Sequence, residues 1–306
     1  MPARCATRWV ASNSASGLPL RMSRERAYLA VDIGGTKMLC GIVSMSGEVL
    51  TQDRTPTPQH DVWDALAALV SRVQASRDVD FVACGVGCGG PMSDQGDKVS
   101  NLHITSWQDF PLRSSLAALT GLATYVDNDA KAIVLGETWC GAAVGCRDVV
   151  GMVVSTGVGG GIISDGRLLD GHTGNSGHIG HVCVAPGGRR CKCGAYGCLE
   201  AQASGTAIAE MTGRPAAEAS PAVIEQTGIY VGRAVASVAV LLDLRLAVIG
   251  GSVALGFGAP FYTAVQAEVD RQASIKFSRG VQVRPAGLGA DAPLVGAAAV
   301  ARRHVE

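Results

Sequence analysis

YLAVDIGGTKMLCGIVSM, residues 28–45, decides the fold class of this chain of 306 residues. Two apolar runs rich in Val, Ile and Leu flank Gly34-Gly35-Thr36, so the stretch predicts two β-strands joined by a tight turn. The run EVLTQDRT, residues 48–55, then predicts a third strand. Three consecutive strands with short turns predict an antiparallel meander at the start of the fold.

Strands and helices alternate beyond the meander. Apolar residues recur at helical spacing from Trp63 to Val73, and Asn128 and Asp129 fit the cap of a later helix. The predicted order is a helix at 63–73, a strand at 80–87, a helix at 112–121, a strand at 123–127 and a helix from 130.

The second half repeats this opening. Val149–Ser155 predicts a strand, residues 156–160 a glycine turn, and residues 161–164 a second strand. Predicted elements then follow at 223–243 (helix), 245–250 (strand), 252 onward (helix), 281–288 (strand) and 292–303 (helix). The class is α/β, and the repeated glycine-turned hairpin predicts an internal duplication of the architecture.

Composition excludes several classes of protein. Lys and Arg number 26 and so do Asp and Glu, so no basic excess is available for nucleic acid. Hydrophobic residues make up 47%, yet no apolar run is long enough for a membrane helix. Most of the ten cysteines are scattered in apolar stretches, which favours reduced thiols and a cytoplasmic location. Residues 1–26, with five Arg, predict a disordered extension, and Met22 is a candidate start.

The first turn carries chemistry that suits a nucleotide. In Asp32-Ile-Gly34-Gly35-Thr36-Lys37, glycine N–H groups can approach phosphate oxygens, Thr36 adds a hydroxyl, and Asp32 can hold Mg²⁺. A nucleotide P-loop requires a helix after the glycines, and a strand follows here. Taken alone, the motif fits an ordinary tight hairpin better than a phosphate site.

The second turn is richer in glycine. The run from Ser155 to Gly161 has four glycines in seven residues, which favours a close backbone approach to a ligand. The candidate phosphate-binding residues here are Ser155, Thr156, Gly157, Gly159 and Gly160. Two such turns on duplicated halves favour phosphate binding over two chance hairpins.

A loop at 172–198 has no helical or strand period, so another feature must hold it. His181, Cys191, Cys193 and Cys198 supply one imidazole and three thiolates, the donor set of a closed tetrahedral Zn²⁺ site. The alternative is a glycine-rich loop with reduced cysteines and no metal.

These three motifs together resemble the ROK family of sugar kinases over residues 27–303. The family pattern of a glycine, Gly-His and CxCGxxGCxE is met by Gly177 to His181 and Cys191 to Glu200. The resemblance implies two actin-like (ribonuclease H-like) ATPase domains with a cleft between them. It assigns residues 27–130 and the C-terminal helix 292–305 to the first domain, and residues 131–291, with a zinc loop at 178–200, to the second.

The resemblance also assigns site residues. It places the catalytic base at Asp129, for which the alternative is an ordinary helix cap. The implied sugar contacts are Gly90, Asn101, Asn128, Asp129, His178, His181 and Glu200. Asn101 also fits a turn residue, and Gly250 and Gly251, implied to lie against adenosine, also fit a plain strand-to-helix turn.

The implied reaction is MgATP-dependent phosphorylation of the 6-hydroxyl of a hexose or N-acylhexosamine. The run Gly177-His178-Ile-Gly-His181 has His where most ROK glucokinases carry Glu, and with VSTGVGGG and IGGSV it is similar to bacterial N-acetylmannosamine kinases. We therefore expect N-acetylmannosamine, with glucose as the alternative and a sugar-responsive regulator as the alternative of another class. The expected partner is a small sugar, with neither nucleic acid nor membrane, and the resemblance implies a homodimer or homotetramer.

Overall fold

The structure is a computed structural model that describes residues 24–93, 96–101 and 103–306. The extension predicted at 1–26 lies outside the described residues up to residue 23. Arg26 already begins the first strand, and the Glu25 carbonyl accepts a hydrogen bond from the Asp80 N–H at 2.9 Å. Strand β1 therefore begins one residue before the predicted boundary at residue 27.

The first sheet contains the predicted meander. Its strands are β1 (Arg26–Ile33), β2 (Lys37–Ser44), β3 (Val49–Pro56), β4 (Asp80–Cys88) and, after three short strands named below, β8 (Thr124–Asn128). They lie in the order β3-β2-β1-β4-β8, in which β1, β2 and β3 pair antiparallel and β1, β4 and β8 run parallel. The parallel strands bring their carboxyl ends to one edge of the sheet.

The second sheet repeats this plan. Its strands are β9 (Val149–Val154), β10 (Val158–Ser164), β11 (Arg167–Leu168), β12 (Leu246–Gly250) and β13 (Gln282–Pro285). Their order, β11-β10-β9-β12-β13, reproduces the first sheet strand for strand, with a meander followed by two parallel strands. The predicted duplication of architecture is present.

Helices cover the sheets. They are α1 (Val62–Ala75), α2 (Leu112–Thr120), α3 (Asp129–Cys140), α4 (Leu199–Ala203), α5 (Gly205–Thr212), α6 (Pro221–Leu242), α7 (Ser252–Gln272) and α8 (Ala292–Val305). Among the described residues, none of these helices combines the length and the apolar character that a membrane span needs.

The last helix packs on the first sheet. Leu294, Ala297 and Ala301 of α8 share a buried apolar cluster with Tyr28 of β1. A Cβ atom on Gly85 of β4 would lie 1.9 Å from the Ala297 carbonyl oxygen, so only glycine allows the helix to come this close. This packing is what the assignment of helix 292–305 to the first domain requires.

Helix α3 lies between the two halves. It meets α8 where Gly296 faces Gly136, and a Cβ atom on Gly136 would lie 3.0 Å from the Gly296 nitrogen. On its other side, a Cβ on Gly161 of β10 would lie 2.9 Å from the Lys131 Cα. Small residues on both faces thus let α3 touch the first domain's helix and the second sheet at once.

Two local predictions were wrong. The strand predicted at 281–288 ends at Pro285, because the buried Glu137 carboxylate accepts hydrogen bonds from the N–H groups of Gly287 and Leu288 at 3.0 Å each. Those N–H groups are therefore unavailable to a sheet. The small sheet of β5 (Met92–Ser93), β6 (Lys98–Val99) and β7 (Phe110–Pro111) was missed, since strands of two residues show no period.

Candidate functional site

Two carboxyl groups meet at the edge where β1, β4 and β8 end. Asp32 lies near the end of β1, and Asp129 follows β8 as the first residue of α3. Gly87 of β4 lies between them, and a Cβ atom there would be 3.5 Å from both the Asp32 Oδ1 and the Asp129 Cα. The parallel sheet therefore brings together two residues that are 97 positions apart in sequence.

Their surroundings favour the protonated forms. Burial and, to a smaller extent, the nearby Asp129 charge raise the pKa of Asp32 to about 7, against the opposing effect of Lys37. Burial also raises the pKa of Asp129, which the hydrogen bond from the Ala130 N–H counteracts. A carboxylate with a raised pKa is a stronger base than an exposed one, which suits proton removal from a hydroxyl.

Asn128 has the predicted capping role. Its Oδ1 accepts hydrogen bonds from the N–H groups of Ala130 at 3.1 Å and Lys131 at 3.4 Å. Asp129 also accepts from the Ala130 N–H, at 2.9 Å. Asn128 is therefore the main capping residue of α3. Its hydrogen bonds fix the start of the helix, where Asp129 is the first residue.

Hydrogen bonds from a residue outside the first turn stabilise its backbone. Thr57 donates its hydroxyl to the Gly34 carbonyl at 2.7 Å and its N–H to the Thr36 carbonyl at 3.1 Å. A Cβ atom on Gly35 would lie 2.4 Å from the His103 Cβ. Gly35, Thr36 and Lys37 remain exposed. Sequence reasoning missed His103, which also faces Asp129 closely enough to lower its pKa, because a lone His in a loop gives no signal.

The second turn is held by its neighbours. The Gly205 N–H donates to the Ser155 carbonyl at 2.7 Å, and the Thr206 hydroxyl donates to the Thr156 carbonyl at 3.0 Å. Glu200 of α4 accepts a hydrogen bond from the Val158 N–H at 3.1 Å. A candidate sugar contact therefore touches the candidate phosphate turn directly.

Packing against protein atoms explains why glycine is required at the positions that follow this turn. Gly159 and Gly160 lie inside β10, and a Cβ atom on Gly159 would lie 2.8 Å from the Ala130 Cβ of α3. A Cβ on the buried Gly160 would lie 2.8 Å from the Ile179 side chain. Their close approach is to protein, so the part of the run that is open to a phosphate is Ser155–Gly157.

Close packing also explains why glycine is required at positions 250 and 251. Gly251 has a φ of 94°, and a Cβ there would lie 2.4 Å from the Val154 carbonyl oxygen. These constraints fit the plain strand-to-helix turn, and the adenosine contact stays a prediction. The next residue, Ser252, places its hydroxyl 2.9 Å from that of Ser155, so α7 begins beside the second turn.

Asn101 is buried under the end of β4. Its Nδ2 lies 3.6 Å from the Cys88 Sγ, and its Oδ1 accepts from the His103 N–H at 2.8 Å. A Cβ atom on Gly89 would lie 3.1 Å from the same Nδ2, which places Asn101 beside the backbone that leads to Gly90. The hydrogen bond to His103 fits the turn interpretation, and the position fits the sugar contact.

His178 lies at the rim of the same region, immediately before a 3₁₀ turn at Ile179–His181. Desolvation and the neighbouring His181 lower its pKa, while the charges of Asp129 and Glu200 oppose the shift. The ring is therefore neutral at pH 7 and offers one N–H donor and one acceptor.

The predicted metal ligands converge. One ligand atom from each of His181, Cys191, Cys193 and Cys198 lies within 4.8 Å of the other three. The His181 Nδ1 is 3.7 Å from the Cys191 Sγ, and the Cys193 and Cys198 sulfurs are also 3.7 Å apart. Zn–S bonds of about 2.3 Å place tetrahedral ligands about 3.8 Å apart, so the donor set and its spacing fit zinc.

Comparison with known proteins gives a consistent result. The sequence model of the ROK family matches residues 28–304. A glucokinase of Halalkalibacterium halodurans is 32% identical over 89% of this chain and 94% of its own. An N-acetylmannosamine kinase of Escherichia fergusonii is 35% identical over 90% of this chain and 98% of its own.

Solved structures agree on the fold. A ROK hexokinase from Thermus thermophilus has a TM-score of 0.80 at 32% identity, over 91% of this chain and 99% of its own. A ROK family glucokinase from Streptomyces griseus, in complex with glucose and AMPPNP, has a TM-score of 0.78 at 30% identity, over 90% and 99%. A ROK family transcriptional regulator, a homolog of the E. coli MLC protein, has a TM-score of 0.79 at 26% identity, over 91% and 78%. The predicted α/β class with the actin-like ATPase fold is confirmed.

Proposed function

The chain belongs to the ROK family, and we propose that it phosphorylates the 6-hydroxyl of a hexose or N-acylhexosamine. It is a phosphotransferase that uses ATP and a sugar acceptor. Within this class we propose N-acetylmannosamine as the preferred substrate and glucose as the second candidate.

One observation supports the reaction above all others. Asp32 and Asp129 meet at the edge of the first sheet, and burial raises the pKa of each. One carboxylate is available for a cation and the other for the acceptor hydroxyl, which are the two charges that phosphoryl transfer to an alcohol must manage.

The nucleotide end of the site is formed by the two turns. MgATP supplies the phosphoryl group, and its metal neutralises phosphate charge. Gly35, Thr36 and Lys37 offer exposed N–H, hydroxyl and ammonium donors to phosphate oxygens. Asp32 is suited to Mg²⁺, because a cation beside it favours its carboxylate form. Ser155–Gly157 is the proposed counterpart from the second half.

The sugar end is formed by Asp129 and the residues around His178. Asp129 accepts the proton of the attacking hydroxyl, and Asn128 keeps it in place by capping α3. Glu200 accepts hydrogen bonds from sugar hydroxyls while it also accepts from the Val158 N–H. Asn101 and the Gly90 backbone are proposed to line the opposite wall.

His178 is the proposed determinant of the sugar. A carboxylate at this position could accept from two adjacent hydroxyls, whereas the neutral imidazole has one N–H to give. The carbonyl oxygen of an N-acetyl group accepts such an N–H. His181 is proposed to bind zinc through Nδ1, which faces the thiols, and to leave Nε2 for the sugar.

A panel of sugars with MgATP tests the function. We expect phosphorylation of N-acetylmannosamine with kcat/KM at least about tenfold above glucose. Consumption of no ATP with any sugar would favour the regulator class, and a preference for glucose would overturn the substrate while leaving the kinase.

The variant His178→Glu tests the determinant. It should shift the ratio of kcat/KM toward glucose by at least about tenfold, the size of one hydrogen-bond mismatch. His60→Glu, at an exposed histidine in another part of the chain, is the matched control. A ratio that stays within about twofold of the wild type would remove His178 from the specificity account.

Three further expectations go with this proposal. A homodimer or homotetramer, a cytoplasmic location and one structural Zn²⁺ per chain remain predictions from the sequence. Size-exclusion chromatography with light scattering would test the first, and metal analysis of freshly purified protein would test the last.

A further inference from the structure

A cluster of four charged side chains, in which Lys131 is buried, lies behind the candidate site and consists of Asp127, Lys131, Asp170 and Arg303. We propose that Lys131 is a positioning residue of the kinase, which holds the loop that carries His178 against the helix that begins with Asp129. This inference rests on the proposed function and extends it to how the sugar site is kept in shape.

The ammonium group of Lys131 is fully engaged. Its Nζ lies 2.9 Å from the Asp127 Oδ1, and it donates to the Asp170 Oδ1 and the Gly174 carbonyl at 3.1 Å each. The exposed fraction of the side chain is 2%. An ammonium has three N–H donors, and here each has an acceptor.

These acceptors belong to two segments, strand β8 and the loop after β11 that holds both Asp170 and Gly174. Asp127 is in β8, Asp170 follows β11, and Gly174 is in the loop that leads to His178. Lys131 itself is in the first turn of α3, two residues after Asp129. One side chain therefore connects the helix of the proposed base to the loop of the proposed sugar determinant.

Arg303 of α8 completes the cluster. It donates to both carboxylate oxygens of Asp170, at 3.2 Å and 2.5 Å, and lies 3.8 Å from Asp127. Burial raises the pKa of Asp170, but the hydrogen bonds from Arg303 and Lys131 outweigh it and lower the pKa. Two cations balance two carboxylates, so loss of Lys131 alone leaves the cluster with an excess negative charge.

The loop from Asp170 to His181 is then tethered at both ends. The Lys131 cluster holds its beginning, and His181 in the metal cluster holds its end. Between them, a Cβ atom on Gly177 would lie 2.7 Å from the Gly160 carbonyl oxygen, so the loop lies directly on β10. These contacts place His178, and its ring stacks on that of His181 with the ring centroids 6.1 Å apart.

The test compares Lys131→Met with Lys276→Met, the same substitution at an exposed lysine. Hydrogen–deuterium exchange of amides 171–178 should become at least about tenfold faster in Lys131→Met and stay unchanged in the control. The KM for the sugar should rise about tenfold while the KM for MgATP changes less than twofold.

A double variant separates positioning from stability. Lys131→Met with Asp170→Asn restores the charge balance, so it should recover melting temperature relative to the single variant. It still lacks the tether, so fast exchange and a high KM for the sugar should persist. If the single variant does not fold, the double variant is compared with the wild type and with Lys276→Met instead.

Three results would overturn the proposal: unchanged exchange at 171–178, an equal rise of both KM values, or a double variant whose KM for the sugar returns to that of the wild type. A wild type that phosphorylates no sugar would instead refute the proposed function, and the exchange comparison would still decide whether Lys131 tethers the loop.

Discussion

The two glycine turns occupy equivalent places in sheets of the same topology, yet they differ in charge. The first has Asp32 before its glycines and Lys37 after them. Residues 155–161 of the second have no charged side chain. Its carboxylate comes from Glu200, whose Oε2 accepts the Val158 N–H at 3.1 Å.

This difference shows how a duplicated backbone can divide two tasks. Both halves of the chain supply a glycine turn. In the first half, the charged residues Asp32 and Lys37 flank the turn itself, whereas in the second half the charge comes from Glu200 of α4. We infer that the first turn manages Mg²⁺ and phosphate, whereas the second connects phosphate binding to the sugar pocket.

The largest effect is expected at Asp129, where the ends of the first sheet's strands meet the second half. Asp129→Asn keeps the shape and loses the base, so kcat should fall by about 10² to 10⁴ while sugar affinity persists. Turnover and calorimetric sugar binding measure the two properties, with Asp64→Asn on the surface of α1 as control. Near-native turnover would exclude this residue as the base.

The next effect separates the turns directly. Asp32→Asn should raise the KM for MgATP by about tenfold or more with little change in sugar affinity. Glu200→Gln should raise the KM for the sugar most, and that for MgATP by a smaller factor through Val158. Steady-state kinetics with each substrate varied will measure both. If Asp32→Asn mainly raised the KM for the sugar and Glu200→Gln mainly raised the KM for MgATP, the proposed division of tasks would be wrong.

Sequence reasoning reached the fold through periodicity and turn chemistry, which are local. It found the strand-turn-strand repeats at Gly34 and Gly157 and the convergence of His181 with the three cysteines. It could not find the role of Lys131, because two of its partners, Asp170 and Gly174, lie 39 and 43 positions away. It could not foresee the packing of Gly160 against Ile179, because a glycine required by packing and one required by a ligand look alike in sequence.

A smaller effect is expected at the metal cluster. Cys193→Ser should remove zinc and lower both the melting temperature and the sugar affinity, since His181 of the same cluster is proposed to bind both zinc and sugar. Metal analysis and thermal unfolding provide the measurements, and Cys146→Ser, a free cysteine outside the cluster, should retain about one zinc per chain. A metal analysis that finds no zinc in freshly purified protein would contradict the assignment of this cluster as a zinc site.

The smallest effect concerns pH. The Asp32 carboxyl has a pKa of about 7 in the folded protein against an ordinary value of 3.8, so the folded state binds more protons between those values. Rising pH across this window therefore removes stability from the ligand-free protein. Asp32→Asn should abolish that contribution, seen as a flatter curve of unfolding free energy from pH 4 to pH 7. Curves with the same slope would show that the carboxyl is not perturbed.

The central claim is that Asp129 receives the proton of the sugar 6-hydroxyl between the two turns. A crystal structure of the protein with N-acetylmannosamine, Mg²⁺ and AMPPNP measures the decisive distance. We predict about 2.6 to 3.2 Å from an Asp129 carboxylate oxygen to the 6-hydroxyl oxygen, with the acetamido group beside His178. A sugar bound with its 6-hydroxyl outside hydrogen-bonding reach of Asp129 would contradict the account.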